Sequence, residues 1–395
     1  MRILFLTTRL PYPPNRGDRL RAYNFIKSLS SQHQIHLISF ISNEKEKENI
    51  EPLKSFCQDI QVITQSKLQS ILSVALNIWR PLPLQALYYR SSQMQSLVKE
   101  KLSKLSFDLI FVHLFRMAPF VENLQHTYRV VDLTDVISRE IKRSLSYRGI
   151  ASRLLYTYEN PRIQHYEQYV ASKFEEIWLI SEADKQELTK ACPEANIQVI
   201  NNGVETEIFY PIDIPDRENI LMFLGHMGVP HNIDAATSLA ESIYPIVKRQ
   251  IPDCKLWIVG AEPTPAVMKL GKIPGVTVTG FVPDINVYLN RATVFCAPLR
   301  FAAGVQFKVV QAMAAGRPVV TTSIVNEGLG AHPGEDLIIA DTPEETARQI
   351  IWLFQQPNAA QKLGQAAHRF VTTKFAWDSV LKRVKEIEKI NKVNQ

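Results

Sequence analysis

The sequence predicts an α/β protein made of two domains, each built on a parallel sheet. Three observations carry this. Short apolar strand-like runs alternate with helical runs along the whole chain, the pattern of parallel strands joined by helices. At 395 residues the chain exceeds what one ordinary core supports. A polar, proline-rich stretch, PIDIPDREN (211–219), separates two sets of alternating elements.

In chain order, ILFLTT (3–8) opens the first sheet. A Pro/Gly loop and a helix with Leu20, Tyr23, Ile26 and Leu29 near one face follow. IHLISF (35–40), IQVIT (60–64), DLIFVH (108–113), YRVVDL (128–133) and EIWLIS (176–181) supply further strands, and IQVINNGVETEIFYP (197–211) ends the first domain. Gln69–Trp79 and Leu82–Tyr89 are apolar and broken by proline, which suits either core packing or an interfacial edge. Ser138–Phe174 is aromatic and basic with helical spacing, interrupted at Gly149 and Pro161. It reads as helices packed on the first domain, or as a surface that touches membrane or a lipid-linked acceptor. Ser181 before EADKQEL is an N-cap signal. The second set comprises ILMFLG (220–225), KLWIVG (255–260), VTVTG (276–280), TVFCAP (293–298), PVVTT (318–322) and LIIA (337–340). A capping-box start stands at Thr342, and the tail from Trp377 to Lys392 reads as a basic amphipathic helix. The expected domains are 1–208, joined by the tail 376–395, and 209–375.

Composition narrows the function. Apolar residues at 46% and charged residues at 21% are ordinary globular values. No run approaches about 18 apolar residues, so no transmembrane helix is expected. MRILFLTTRLPYPP is too short an apolar run for a signal peptide, and a cytoplasmic protein is the expectation. Cys57, Cys192, Cys254 and Cys296 are scattered, which suits buried thiols rather than zinc or disulfides. Residues 1–150 hold 21 Lys+Arg against 12 Asp+Glu, or +9, and the remaining 245 hold 24 against 27, or −3. A basic first domain suits a phosphate-bearing partner or simply a solvated face. No nucleic-acid-binding motif accompanies it, so no nucleic acid is expected.

Residues 293–322 organise the rest: a buried strand, a turn with Gly304, a helical stretch Val305–Ala315 stopped by Gly316, and a second strand. The first helical N–H groups lack intrahelical partners, so such a helix start binds anions, and Lys308 lies one turn in. Other candidates are Gly17 and Arg19 in the turn after the first strand. His113 ends a strand at the carboxyl edge, where open α/β sheets bind ligands. Asp132 and Asp135 at the next rim suit an acceptor hydroxyl or a capped turn. Gly328–Gly334 has the wrong spacing for a dinucleotide and reads as loop.

Gly304, Ala312-Met313-Ala314, Gly316 and Pro318-Val319-Val320 resemble the donor-site signature of family 4 (group 1) glycosyltransferases. Asn202-Gly203-Val204-Glu205 resembles the segment before that family's interdomain hinge. PYPPNRGDR, RPLPLQALYYR, GVTVTGFVPD and Gly304-Val305-Gln306-Phe307-Lys308 resemble its exopolysaccharide- and exosortase-associated branch. Ala303 and Gln311 stand where the family has its two glutamates. The resemblance implies the GT-B fold: two Rossmann-like domains facing across a cleft, with the C-terminal helix crossing back to the first. It implies retaining, metal-independent transfer from a UDP- or GDP-sugar, with no cofactor, to a glycan or polyprenyl-diphosphate-linked acceptor, peripherally at the inner membrane. Donor contacts would come from Gly17, Arg19, His226, His231, Arg300, Gly304, Val305 and Gln311. His113 and Lys308 would act in catalysis, and Asp132 and Asp135 on the acceptor side. His226 and His231 replace the family's Arg and Lys in GHMGVPHN (225–232). Those departures leave two rivals open: a degenerate sugar-nucleotide- or glycan-binding partner subunit, and a GT-B-fold sugar-nucleotide epimerase.

Overall fold

The computed structural model describes residues 1–145, 149–214, 218–301 and 304–386. The chain divides into two compact units, one of Met1–Asn201 with the chain from Val380 onward, the other Asn202–Ser379. The first unit runs β1 (Arg2–Thr7), α1 (Gly17–Leu29), β2 (Gln34–Ile41), β3 (Asp59–Thr64), α2 (Lys67–Asn77), α3 (Leu84–Tyr88), α4 (Ser92–Lys104) and β4 (Leu109–His113). It continues with β5 (Tyr128–Thr134), α5 (Ile137–Ser144), α6 (Ile150–Lys173), β6 (Glu176–Leu179), α7 (Glu182–Ala191) and β7 (Ile197–Val199). Its seven strands are parallel in the order β3-β2-β1-β4-β5-β6-β7.

The second unit holds β8 (Ile220–Leu224), α8 (Pro230–Ser238), α9 (Tyr244–Gln250), β9 (Lys255–Val259), α10 (Pro265–Leu270), β10 (Val276–Val278), α11 (Ile285–Arg291) and β11 (Val294–Ala297). Then come α12 (Phe307–Ala314), β12 (Val319–Thr321), α13 (Ser323–Leu329), β13 (Ile338–Ile339), α14 (Pro343–Gln355) and α15 (Pro357–Lys374), while α16 (Trp377–Lys385) begins in this unit and belongs to the first from Val380. Its six parallel strands are ordered β10-β9-β8-β11-β12-β13.

Each of the twelve strand runs in the sequence forms a strand, because a strand covered by helices on both faces must be apolar throughout, and β7 adds a short strand that those runs do not include. β1, β4, β8 and β11 are buried almost end to end. In the first unit Phe5 stacks on Phe111 at 4.5 Å, and Phe25 and Trp178 meet edge-on at 5.5 Å. Strand order reverses between β1 and β4 in one sheet and between β8 and β11 in the other. In open parallel sheets the crevice outside the carboxyl ends at such a reversal is where ligands bind.

Two local expectations change. α6 is one helix through Pro161: a proline forfeits one backbone bond, and burial of Ile163, Tyr166 and Val170 on the same helix holds it. The units part at Asn201, seven residues before the sequence boundary, because Val204 pairs with Ala376 and its N–H bonds to the Phe375 carbonyl at 2.6 Å. A Cβ at Gly203 would lie 2.1 Å from the Trp377 ring, so only glycine lets that strand approach. The expected tail helix is described as α16, and its extension over 387–395 lies outside the described residues.

Candidate functional site

In the second unit, β8 feeds the loop Gly225–Val229, which is seated without slack. A Cβ at Gly225 would lie 2.8 Å from the Asn232 side chain, and one at Gly260 would lie 1.7 Å from the Gly225 carbonyl oxygen. Asn232, buried in the first turn of α8, donates Nδ2–H to the His226 carbonyl at 3.0 Å. Its Oδ1 accepts from Lys308 Nζ. The lysine comes from the start of α12 after β11, so the side chain bridges the two halves of the strand reversal. Its amine lies 5.6 Å from the centre of the Phe223 ring. Burial without a carboxylate partner drives its pKa down to about 7.

The other expected cations differ. Burial, then the neighbouring Lys308, pushes His231 down to about 4, so its ring is neutral at pH 7 and supplies no charge. That ring meets Phe301 edge-on at 6.3 Å. Arg300 is held by Asp234 through two hydrogen bonds, one from Nε at 2.9 Å. His226 is exposed, with Nε2 3.4 Å from Glu262 Oε2. Of the four, Lys308 and His231 have no carboxylate partner among the described residues, and of these two the imidazole is neutral at pH 7.

The helix start also moves. Gly304 takes φ 56° and is buried, and a Cβ at Gly328 would lie 2.1 Å from its carbonyl oxygen. Val305 is buried and Gln306 is the N-cap, with extended backbone and no capping side-chain bond. The leading amides of α12 are therefore those of Phe307 and Lys308, not Gly304 and Val305. The turn needs the extra residues to pass beneath α13. Gln311 lies half-buried one turn further on. Ala303 lies outside the described residues.

In the first unit a polar cluster sits beneath the same kind of edge. Arg21 Nε and Nη2 donate to the two oxygens of Asp132 at 2.7 and 2.9 Å, and Nη1 reaches the Asn201 carbonyl at 3.0 Å. His113 Nδ1 lies 2.9 Å from Asp132 Oδ2. All three side chains are buried. Burial raises the Asp132 pKa, but Arg21 and His113 outweigh it and hold the group at about 2. An ionised Asp132 accepts, so Nδ1 of His113 carries the proton. Its Nε2 is buried without a partner, an atom that something else must complete.

The backbone is strained at the same rim. Leu114, directly after His113, takes φ 70°, and Thr134 takes φ 66° where the β5–β6 register shifts. Asp132, expected on the acceptor side, has no exposed surface. It acts on anything outside only by orienting His113. Asp135 is pushed up to about 8 by burial, then by Asp184 and Glu140, and is protonated at pH 7. Gly17 opens α1 with nothing within 4 Å of a Cβ. Arg19 pairs with Glu46 at 3.7 Å rather than standing free. Sequence reasoning missed Asn232, Asp234, Arg21 and Asp18, the last bonded to Arg9 at 2.9 Å and held below the carboxylate range against burial by Arg9 and His113.

Comparison with known proteins places this architecture. A relative, an uncharacterised 44.6 kDa protein in the cps region of Klebsiella pneumoniae, is 23% identical over 95% of this chain and 96% of its own. Sucrose-phosphate synthase from Thermosynechococcus elongatus superposes with TM-score 0.74 at 14% identity, covering 100% of both chains. HepE from Anabaena, solved with UDP, gives 0.67 at 14% identity over 99% of this chain and 100% of its own. Such likenesses establish the fold, which is GT-B. Within it, residues 218–356, from just before β8 to the end of α14, match the family model of group 1 glycosyl transferases.

Proposed function

We propose that the protein is a retaining, metal-independent glycosyltransferase. It would take a sugar from a UDP- or GDP-sugar held by the second unit and pass it to a glycan or lipid-linked acceptor met by the first. The observation that carries this is the Lys308 amine, buried without a carboxylate beside the uncapped start of α12. A desolvated amine beside free helical amides lacks only an anion, and a pyrophosphate supplies it. Charge accumulates on that pyrophosphate as the sugar departs, so the same groups stabilise the transition state. Gln311 on the following turn would bond a ribose hydroxyl. His113 Nε2, with its tautomer fixed by Asp132, would face the transferred sugar.

The UDP in the HepE structure supports the donor class, and the relative in the cps region of Klebsiella pneumoniae supports a role in exopolysaccharide or cell-envelope glycan synthesis at the cytoplasmic side. The branch resemblance of PYPPNRGDR and RPLPLQALYYR points the same way. A second reading, binding without transfer, is favoured by Gln311 in place of a carboxylate and by the uncharged His231. Calorimetric titration with a panel of UDP- and GDP-sugars, followed by product analysis with and without acceptor, separates the readings. Transfer to an acceptor with the anomeric configuration kept supports ours. Tight binding with neither transfer nor hydrolysis supports the second, an epimerised donor without acceptor supports an epimerase, and no binding of any sugar nucleotide overturns all three.

A further inference from the structure

α2 is built inside out. Its inward side is polar: Ser70 is buried, Ser73 Oγ donates to the Leu87 carbonyl at 2.9 Å, and Asn77 bonds the Ser73 carbonyl and Arg90. Its outward side carries Leu68, Ile71, Leu72 and Leu76, at the i, i+3, i+4, i+8 spacing that normally faces a core. Leu68 is 81% exposed and Trp79, just past the helix end, 70%. The second element of the patch is the start of α6, where Ile150 (81%), Leu154 (69%), Leu155 and Tyr158 stand in solvent. The two segments meet: Tyr158 Oη and Arg162 Nη1 donate to the Ile78 carbonyl at 3.4 and 2.8 Å. Among the described residues, ten of the sixteen exposed large hydrophobic side chains lie in these two stretches. Scattered exposed apolar residues need no explanation, but a joined set on a reversed helix does.

Charge selects the occupant. Residues 60–99 contain no aspartate or glutamate, and neither do 141–158. Lys67, Arg80 and Arg153 are exposed around the patch. Glu159, the carboxylate nearest on α6, is buried and accepts from the Leu84 N–H at 2.6 Å. An apolar face whose own two segments carry cations and no exposed carboxylate matches the acyl boundary beneath anionic headgroups, whereas a protein partner imposes no such one-sided charge. We infer that the outer face of α2, Trp79 and the first turns of α6 seat the first unit on an anionic lipid bilayer, with α2 lying in the interface plane.

This inference does not depend on the glycosyltransferase reading, and its test involves no sugar nucleotide. The full chain is floated with vesicles of phosphatidylcholine containing phosphatidylglycerol, and with phosphatidylcholine alone. The expected result is flotation with the anionic vesicles, weakened by high salt, with a blue shift of fluorescence that Trp79→Phe removes. Leu72→Asp and Leu154→Glu each lower the partition constant by roughly tenfold or more, as the loss of one buried large apolar side chain dictates. Both positions are exposed, so an unchanged melting temperature shows the fold is intact. Arg80→Glu with Arg153→Glu lowers anionic binding while leaving the weak neutral binding unmoved. A wild-type chain that stays out of anionic vesicles overturns the inference. So do apolar-patch variants that float like wild type, or sedimentation showing a dimer that Leu72→Asp dissolves while no vesicle binding occurs.

Discussion

At the edge of the first sheet, Asp132 stays ionised in a fully buried place because Arg21 grips both its oxygens. At the edge of the second, Lys308 is buried beside a neutral amide and a neutral imidazole, and its pKa falls to about 7. Both clusters occupy the strand-order reversal of a similar sheet, yet one carries its own counter-ion and the other has none among the described residues. A cluster with its charges matched internally is part of the fold. A cluster short of one charge is a receptor. On the function proposed above, Arg21–Asp132 would be scaffolding and Lys308 would capture the ligand.

Breaking each cluster in turn tests that division. The largest effect is expected from Asp132→Asn, which leaves Arg21 buried without its anion. Unfolding in urea shows a loss of about 3–5 kcal/mol, the usual cost of breaking a buried pair from one side. The pH sign follows: Asp132 is held below its unfolded value, so its contribution is full above about pH 4 and disappears as pH falls towards 2. Lys308→Met does the opposite. Stability is unchanged or raised, because a desolvated amine is removed, while affinity for the sugar nucleotide falls by about 10- to 100-fold, as expected for a lost charge-assisted bond. Calorimetry beside a melting curve checks both halves, and a variant that unfolds without losing affinity reverses our division.

pH sharpens the same contrast. Donor binding needs the protonated lysine, which is favoured below the free-state pKa of about 7. Affinity is therefore flat below pH 7 and falls by up to about tenfold per unit above it, until the raised pKa of the bound state is passed. A sugar nucleotide whose diphosphate does not titrate in this range isolates the effect, and Lys308→Met abolishes the slope. The smallest change comes from Gln311→Glu. Charge assistance to a ribose hydroxyl adds on the order of 1 kcal/mol, or about fivefold in affinity, measurable by the same titration.

Much of this was legible before any coordinates. Strand positions followed from apolar runs because strands buried on both faces leave little choice of residue. The position of Lys308 in the first turn of a helix followed from its place behind a glycine turn. The charge states did not, because they depend on burial and on partners distant in sequence: His231 is lowered by burial and then by Lys308, 77 residues on, and Arg300 is paired with Asp234, 66 residues back. Arg21 is one arginine among several near the start of α1, and nothing in its immediate neighbours singles it out. Its register with Phe25 on the apolar face, with the guanidinium 4.5 Å from that ring centre, was the available sign of a buried ion pair. The inverted face of α2 was visible as periodicity, but periodicity does not say which side looks outward.

Asn232 holds the His226 carbonyl with one end of its amide and the Lys308 amine with the other. If an arriving anion draws that lysine away, the amide loses one tether and the glycine-framed loop above it relaxes. Occupancy would thus register in the backbone at 226–229 before any larger motion, and a nitrogen-15 label on Asn232 would be the natural place to watch for it.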